Sequence, residues 1–344
     1  MHPMELFSEL VNIFKKMRIR VYLFLLFSTI CFSQKINGLS FVASNTPVTS
    51  EVIQPVIEVH ANWVTLMPFG FMKTTSEISI QYNSKRQWWG ETKEGITKTA
   101  NEFHKKKIKI MLKPQIWIPN GGFTGLISMK SEQDWITFEK SYEIFILDYA
   151  QVAKNSKIEL FCIGTELNNF VITRPTYWKG LIQKIKKIYK GKITYAENWD
   201  TYKNVPFINK LDYIGIDAYF PLAKEQTPTV AVIEKAWKPI KVAIKELNVK
   251  YQKPILFTEF GYQSKDFAAL EPWNHSKSGT VNLAAQKNAL EAIFNQYWNE
   301  KWFAGGFLWK WYDEKNAGGL NDADYTIQNK PAQKLVSDWY KKMR

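Results

Sequence analysis

The sequence predicts an α/β protein, a single (β/α)8 barrel of parallel strands ringed by helices. Three observations predict it. Short apolar runs, rich in β-branched and aromatic residues, alternate with amphipathic stretches from Lys35 onward. Eight such runs can be read along the chain. No Pro/Gly/Ser-rich linker divides the sequence after residue 35, and 344 residues accommodate one barrel of about 250 residues with its loops. The alternative, an open doubly wound sheet, lacks its phosphate-binding signature, because no GxGxxG or GxxxxGKS/T motif follows an early strand.

The strands are expected at Ile36–Ala43, Asn62–Met67, Ile108–Trp117, Ile158–Glu166, Ile193–Trp199, Tyr213–Phe220, Pro254–Gly261 and Ala304–Trp311. Their near-continuous apolarity suits strands covered on both faces. Between them, Trp135, Phe138, Tyr142, Phe145, Ile146 and Tyr149 follow helical spacing, as do Ile233, Trp237, Ile240, Ile244 and Leu247, and then Leu290, Ile293, Phe294 and Tyr297. Each set forms one apolar stripe able to cover a sheet. Ser131 followed by Asp134 approximates a capping box, and Pro175 suits a first helical turn. The fifth connection, Asp200–Leu211, is short and only weakly helical.

Ahead of the barrel, Lys15, Lys16, Arg18 and Arg20 precede the apolar stretch Val21–Phe32. That order reads as a secretory signal over residues 1–33, with cleavage after Ser33 and a catalytic domain at 34–344. Lipid attachment at Cys31 is the alternative, but Ile30 is bulky where a small residue is expected. The expected location is secreted or periplasmic. No apolar run reaches the roughly 18 residues of a membrane span.

Composition removes several function classes. The four His make no ligand spacing, so no metal is expected, and the two Cys exclude a disulfide framework. The net charge of +14 is spread over helical lysines such as Lys184, Lys186, Lys187 and Lys190 without a nucleic-acid motif. A solvated basic surface is therefore expected, with no nucleic-acid partner. The 14 Trp and 16 Tyr suit a groove that stacks sugar rings, although barrel packing will claim many of them.

In such a barrel, chemistry sits at the C-terminal strand ends. Glu166 ends strand four and Glu259 ends strand seven, each after an apolar run. A single rim Glu has ordinary structural uses. Two carboxyls facing one cleft suit glycoside hydrolysis, where one must be protonated to release the leaving oxygen and the other ionised. No cofactor is needed, since two carboxyls and water suffice.

The chain resembles clan A of the glycoside hydrolases, and more closely glycoside hydrolase family 113, a family of β-mannanases. The resemblance rests on Ala61–Phe71, Met111–Trp117, Gly164–Leu167, Tyr195–Asp200, Ile214–Pro221, Thr258–Tyr262 and Tyr325–Pro331, in that order. It implies a retaining β-1,4-mannosidic hydrolase with Glu166 as acid/base and Glu259 as nucleophile. It also implies that Tyr219 hydrogen-bonds the nucleophile; rim packing is the alternative. One position departs from the clan. Thr165 stands where most members place an Asn that reads the sugar 2-hydroxyl, and Asn198 is the candidate substitute.

Weaker candidates complete the set. Lys113 and Gln115 are placed to bind sugar hydroxyls, with an ion pair to a rim acid as the other possibility for Lys113. Asp217 and Asp200 are candidate rim acceptors. Trp117, Trp199, Trp273, Trp309 and Trp311 are candidate stacking platforms, as are Trp88 and Trp89. Alternation along a strand turns Trp309 and Trp311 the same way, inward. Cys162 is expected in the core. The expected partner is a β-linked polysaccharide or oligosaccharide, and the expected state is a monomer. Two other functions stay open at this point: hydrolysis of a different β-1,4-glycan, and carbohydrate binding without catalysis.

Overall fold

The computed structural model describes residues 34–84, 87–275 and 279–344. The expected secretory signal lies outside the described residues. The strands, in chain order, are β1 (Ile36–Phe41), β2 (Trp63–Leu66), β3 (Phe69–Phe71), β4 (Lys109–Leu112), β5 (Gln115–Trp117), β6 (Leu160–Thr165), β7 (Lys192–Asn198), β8 (Ile214–Asp217), β9 (Ile255–Phe260) and β10 (Phe303–Trp311). Eight of them close into a barrel in the order β1-β10-β9-β8-β7-β6-β4-β2. Every neighbouring pair is parallel. Each barrel strand coincides with one of the expected apolar runs.

The third run is not continuous. It breaks between β4 and β5 at Lys113-Pro114, whereas the second run ends before Pro68 as expected. Proline has no N–H for the ladder, so each strand ends before it. The chain then resumes as β3 and β5, which pair in parallel above the rim.

The helices among the described residues are α1 (Ser50–Glu58), α2 (Lys93–Lys105), α3 (Glu132–Asn155), α4 (Asn168–Thr173), α5 (Pro175–Ile188), α6 (Val230–Tyr251), α7 (Leu283–Tyr297) and α8 (Pro331–Lys342). The Ser131 hydroxyl accepts from the Asp134 N–H at 3.1 Å and donates to the Asp134 carboxylate at 2.8 Å. This reciprocal cap fixes the start of α3. Pro175 opens α5. The fifth connection carries only two short 3-10 turns. None of these helices is long and apolar enough to cross a membrane.

Apolar side chains form two layers. The larger lies between sheet and helices and holds Trp178, Trp237, Trp298 and Trp311 fully buried. The smaller fills the barrel axis with Ile36, Met111, Leu160, Cys162, Ala196, Leu256 and Phe307. Gly38 makes room for the last of these. A Cβ at residue 38 would stand 2.3 Å from the Phe307 ring, so the strand must lack one there. The Cys162 thiol touches the Gly164 carbonyl at 3.2 Å, and burial pushes it up to about 11. It stays a protonated packing group, as its apolar setting in the sequence suggests.

Candidate active site

Glu166 follows the last residue of β6 in a left-handed conformation, with φ of 51°. Such a backbone is uncommon outside glycine and persists only where its surroundings hold it. The holding groups are visible. The Glu166 N–H donates to Ala196 O at 2.8 Å, and Thr124 Oγ1 donates to Glu166 O at 3.2 Å. Just upstream, the register against β7 shifts between Cys162 and Thr165. A bulge of this kind re-aims the side chain that follows it.

Glu259 lies in β9 and is nearly buried. Three donors converge on its carboxylate. Lys113 Nζ and Gln115 Nε2 reach Oε1 at 2.5 and 3.0 Å, and the Tyr219 hydroxyl reaches Oε2 at 2.8 Å. These donors come from the break between β4 and β5, from β5 itself, and from the residues after β8. Closing the barrel is what brings them together.

Lys113 takes the second of its two expected roles, the ion pair, and not the sugar contact. Its side chain is 0% exposed and bridges Glu259 to Asp217, whose oxygens lie 3.1 and 3.0 Å from Nζ. Asp217 also accepts from Thr258 Oγ1 at 2.7 Å. Met111 lines the barrel axis and Leu112 the outer layer, so strand alternation turns Lys113 into the barrel end, where two carboxylates wait. Asp217, expected as a rim acceptor, does accept from Lys113 and Thr258, but it is fully buried, and burial pushes it up to about 7 against the pull of Lys113.

The surroundings of the two glutamates differ. Burial pushes the Glu166 carboxyl well above the usual range, and the Asp217, Glu259 and Glu197 charges add to that push against the pull of Lys113. Burial also works against the Lys113 charge, but Asp217 and Glu259 outweigh it and hold the ammonium protonated. The Tyr219 phenol is raised by burial and by Glu259, so it remains a neutral donor. A carboxyl raised by burial and a second one held by three donors thus share one electrostatic environment.

The remaining candidates divide. Trp199 and Trp273 stack on each other with ring centroids 4.9 Å apart at 23°. Trp273 remains 37% exposed and Trp117 56% exposed, so both offer a face to a ligand. Trp88 is also exposed. Asn198 Oδ1 accepts from the Trp199 N–H at 3.0 Å, which orients the amide nitrogen away from that contact. The Thr165 hydroxyl is buried and has no protein partner.

Trp309 and Trp311 do not share an inward face. Trp311 is 1% exposed and belongs to the layer between sheet and helices, so it presents nothing to a ligand. Trp309 is half-buried, and its indole N–H has no protein partner. The physical reason is a bulge. Leu308 pairs with Leu39 but Trp311 pairs with Phe41, which inserts a residue into β10 and breaks the alternation.

Sequence reasoning passed over Glu197, in β7 beside the Glu166 strand. It is fully buried yet acidic. The signal available was an acid inside the apolar run Ile193–Trp199. His275 was set aside for want of metal spacing. Its ring lies 5.5 Å from that of Tyr325, which packs edge-on to Tyr219 at 6.3 Å. Burial lowers its basicity.

Comparison with known proteins agrees with this architecture. The structure of a GH113 β-mannanase, AaManA from Alicyclobacillus acidocaldarius in complex with ManMIm, matches with a TM-score of 0.79 at 26% identity, covering 90% of this chain and 98% of that one. A second GH113 β-1,4-mannanase structure, also a complex, matches with a TM-score of 0.79 at 21% identity over 90% of this chain and 99% of the other. More distantly, the barrel is similar to Ruminococcus gnavus β-glucuronidase, with a TM-score of 0.57 at 15% identity, over 85% of this chain and 46% of that one. No curated protein matches. The family model for Glycoside Hydrolase Family 113 matches residues 43–330, from the segment after β1 to the residue before α8. This chain accordingly belongs to Glycoside Hydrolase Family 113 and is a glycoside hydrolase.

Proposed function

We propose that the enzyme is a retaining endo-β-1,4-mannanase in which Glu166 is the acid/base and Glu259 the nucleophile. The observation that carries the reading is the contrast between the two carboxyls: one pushed toward its neutral form, the other held by Lys113, Gln115 and Tyr219. That contrast is what double displacement requires. Glu166 gives its proton to the glycosidic oxygen as the bond to C1 breaks. Glu259 forms a bond to C1, giving a glycosyl-enzyme and a free leaving sugar. Glu166, now ionised, takes a proton from water as the water oxygen attacks C1 and releases Glu259. The donors on Glu259 orient its oxygens in the ground state, and the Lys113 charge favours its departure as a carboxylate.

The choice of mannan draws on the GH113 β-mannanases to which the chain is similar. Asn198 is the proposed reader of the 2-hydroxyl, since Thr165 is too short to reach as the usual Asn does. Trp117 and Trp273 are proposed stacking platforms. Export is part of the same proposal, on the basic and apolar pattern of residues 1–33.

The test is digestion of mannan, glucomannan, cellulose and xylan, reading product sizes and anomeric form. Short manno-oligosaccharides with retained configuration are expected, and Glu259→Ala should release none. A second reading, action on another β-1,4-glycan, is favoured only by Thr165; preferential cleavage of cellulose or xylan would establish it. N-terminal sequencing of exported protein should begin at Gln34.

A further inference from the structure

Beyond Glu166, Glu259 and Asp217, the barrel end holds a fourth carboxyl, which the double displacement does not use. Glu197 is fully buried beneath the rim of β7, and each of its oxygens is bonded. Oε1 accepts from the Asn198 N–H at 2.9 Å and from Thr201 Oγ1 at 3.0 Å. Oε2 accepts from the Tyr195 hydroxyl at 3.2 Å. That hydroxyl in turn accepts the Leu167 N–H at 2.8 Å. The chain of bonds thus ends on the peptide that follows Glu166, the residue whose left-handed backbone needs support from outside. Tyr195 and Glu197 sit two apart on β7, the strand that also receives the Glu166 N–H at Ala196.

We propose that Glu197 is a positioning residue for Glu166: through the Tyr195 hydroxyl it fixes the Glu166–Leu167 peptide, and its charge is one that the acid must face from the neighbouring strand. The proposal rests on Glu166 being the acid/base. It has two separable parts. The Tyr195 link sets where the carboxyl points. The charge sets how tightly its proton is held. The other charges facing Glu166 are Asp217 from β8, Glu259 from β9 and Lys113 from the end of β4. Glu197 itself faces Tyr195 on its own strand and Asp200 beyond it, and burial pushes it up to about 7. Its charge, the smallest of those facing Glu166, opposes ionisation there, so the acid keeps its proton to higher pH.

The two parts predict different variants. Tyr195→Phe keeps the ring and the Glu197 charge but cuts the link. It should lower kcat about tenfold on the oligosaccharide that the wild type cleaves best, with KM unchanged. On a dinitrophenyl glycoside of the same sugar, whose leaving group needs no proton, its glycosylation step should fall less than twofold. Glu197→Gln removes the charge, and the alkaline limb of kcat/KM should move down by at least half a pH unit. A merely structural role would lower both substrates alike and leave the limb in place; either result overturns the proposal. Should Glu197→Gln fail to fold, the substrate contrast in Tyr195→Phe decides alone. Glu166→Ala tests the underlying assignment separately. Wild-type turnover of the oligosaccharide by that variant removes the acid/base reading itself, whereas its loss together with wild-type behaviour of both β7 variants removes only the role of Glu197.

Discussion

Lys113 Nζ lies 2.5 Å from Glu259 Oε1, and the Lys113 side chain is wholly out of solvent. Withdrawing an ammonium from water is expensive, and it is offset here by two carboxylates instead of one. Removing one partner of such a cluster leaves the others buried and unbalanced. Lys113→Met should therefore lower kcat at least 100-fold and destabilise the fold by about 3 kcal/mol or more. Steady-state kinetics and thermal melting check both. Undiminished kcat in a folded Lys113→Met protein would show that the cation is not needed to hold Glu259.

The pH dependence follows from Glu166. Its carboxyl is raised by burial and by neighbouring negative charge, so the acid form persists above the ordinary value of about 4.3. Activity should fall as pH rises through that raised value. In Glu166→Gln, assayed on a dinitrophenyl glycoside, the alkaline limb should vanish. Stability carries the same sign. A group with a raised folded value contributes fully below its unfolded value and loses that contribution as pH rises through the folded one. Melting temperatures of Glu166→Gln should consequently decline less on the alkaline side than those of the wild type.

Tyr219 supplies one of the three donors to Glu259 and packs edge-on against Tyr325. Tyr219→Phe keeps that packing and removes only the hydroxyl. A hydrogen bond to a charged group is worth about 1.5–3 kcal/mol, so kcat should drop roughly ten- to 100-fold. Circular dichroism and melting should stay near wild type. A change confined to KM would place the hydroxyl on the substrate instead.

Two tryptophans read alike in the sequence should separate on substitution. Trp273 is a half-exposed partner of Trp199, so Trp273→Ala should raise KM several-fold for longer oligosaccharides with little effect on stability. Trp311 is packed between sheet and helices, so Trp311→Ala should cost about 3–5 kcal/mol of stability. Equal melting temperatures for the two variants would contradict these placements.

The contrast shows what a linear reading supplies. Strand runs such as Ile255–Phe260 are legible because burial on both faces writes an unbroken apolar signal into neighbouring residues. The rim positions of Glu166 and Glu259 follow once the strands are counted. An ion pair for Lys113 is one of two roles the sequence leaves open, but Asp217 as its partner does not follow, because the two are 104 residues apart and meet only when the barrel closes. Alternation from Met111 turns Lys113 inward, but does not say what it turns toward. The opposite facing of Trp309 and Trp311 depends on one bulged residue, for which a strand's period of two leaves no trace. Glu197 went unnoticed because its donors are a backbone N–H and two hydroxyls, groups that any stretch of sequence contains.

The Phe307 ring seated over Gly38 also governs traffic. With aromatic and aliphatic groups occupying the axis below the two glutamates, the cylinder has a floor. Any ligand held at Glu166 and Glu259 must therefore enter and leave on the same side of the barrel. Short products should accordingly compete with fresh substrate, and turnover should slow as they accumulate.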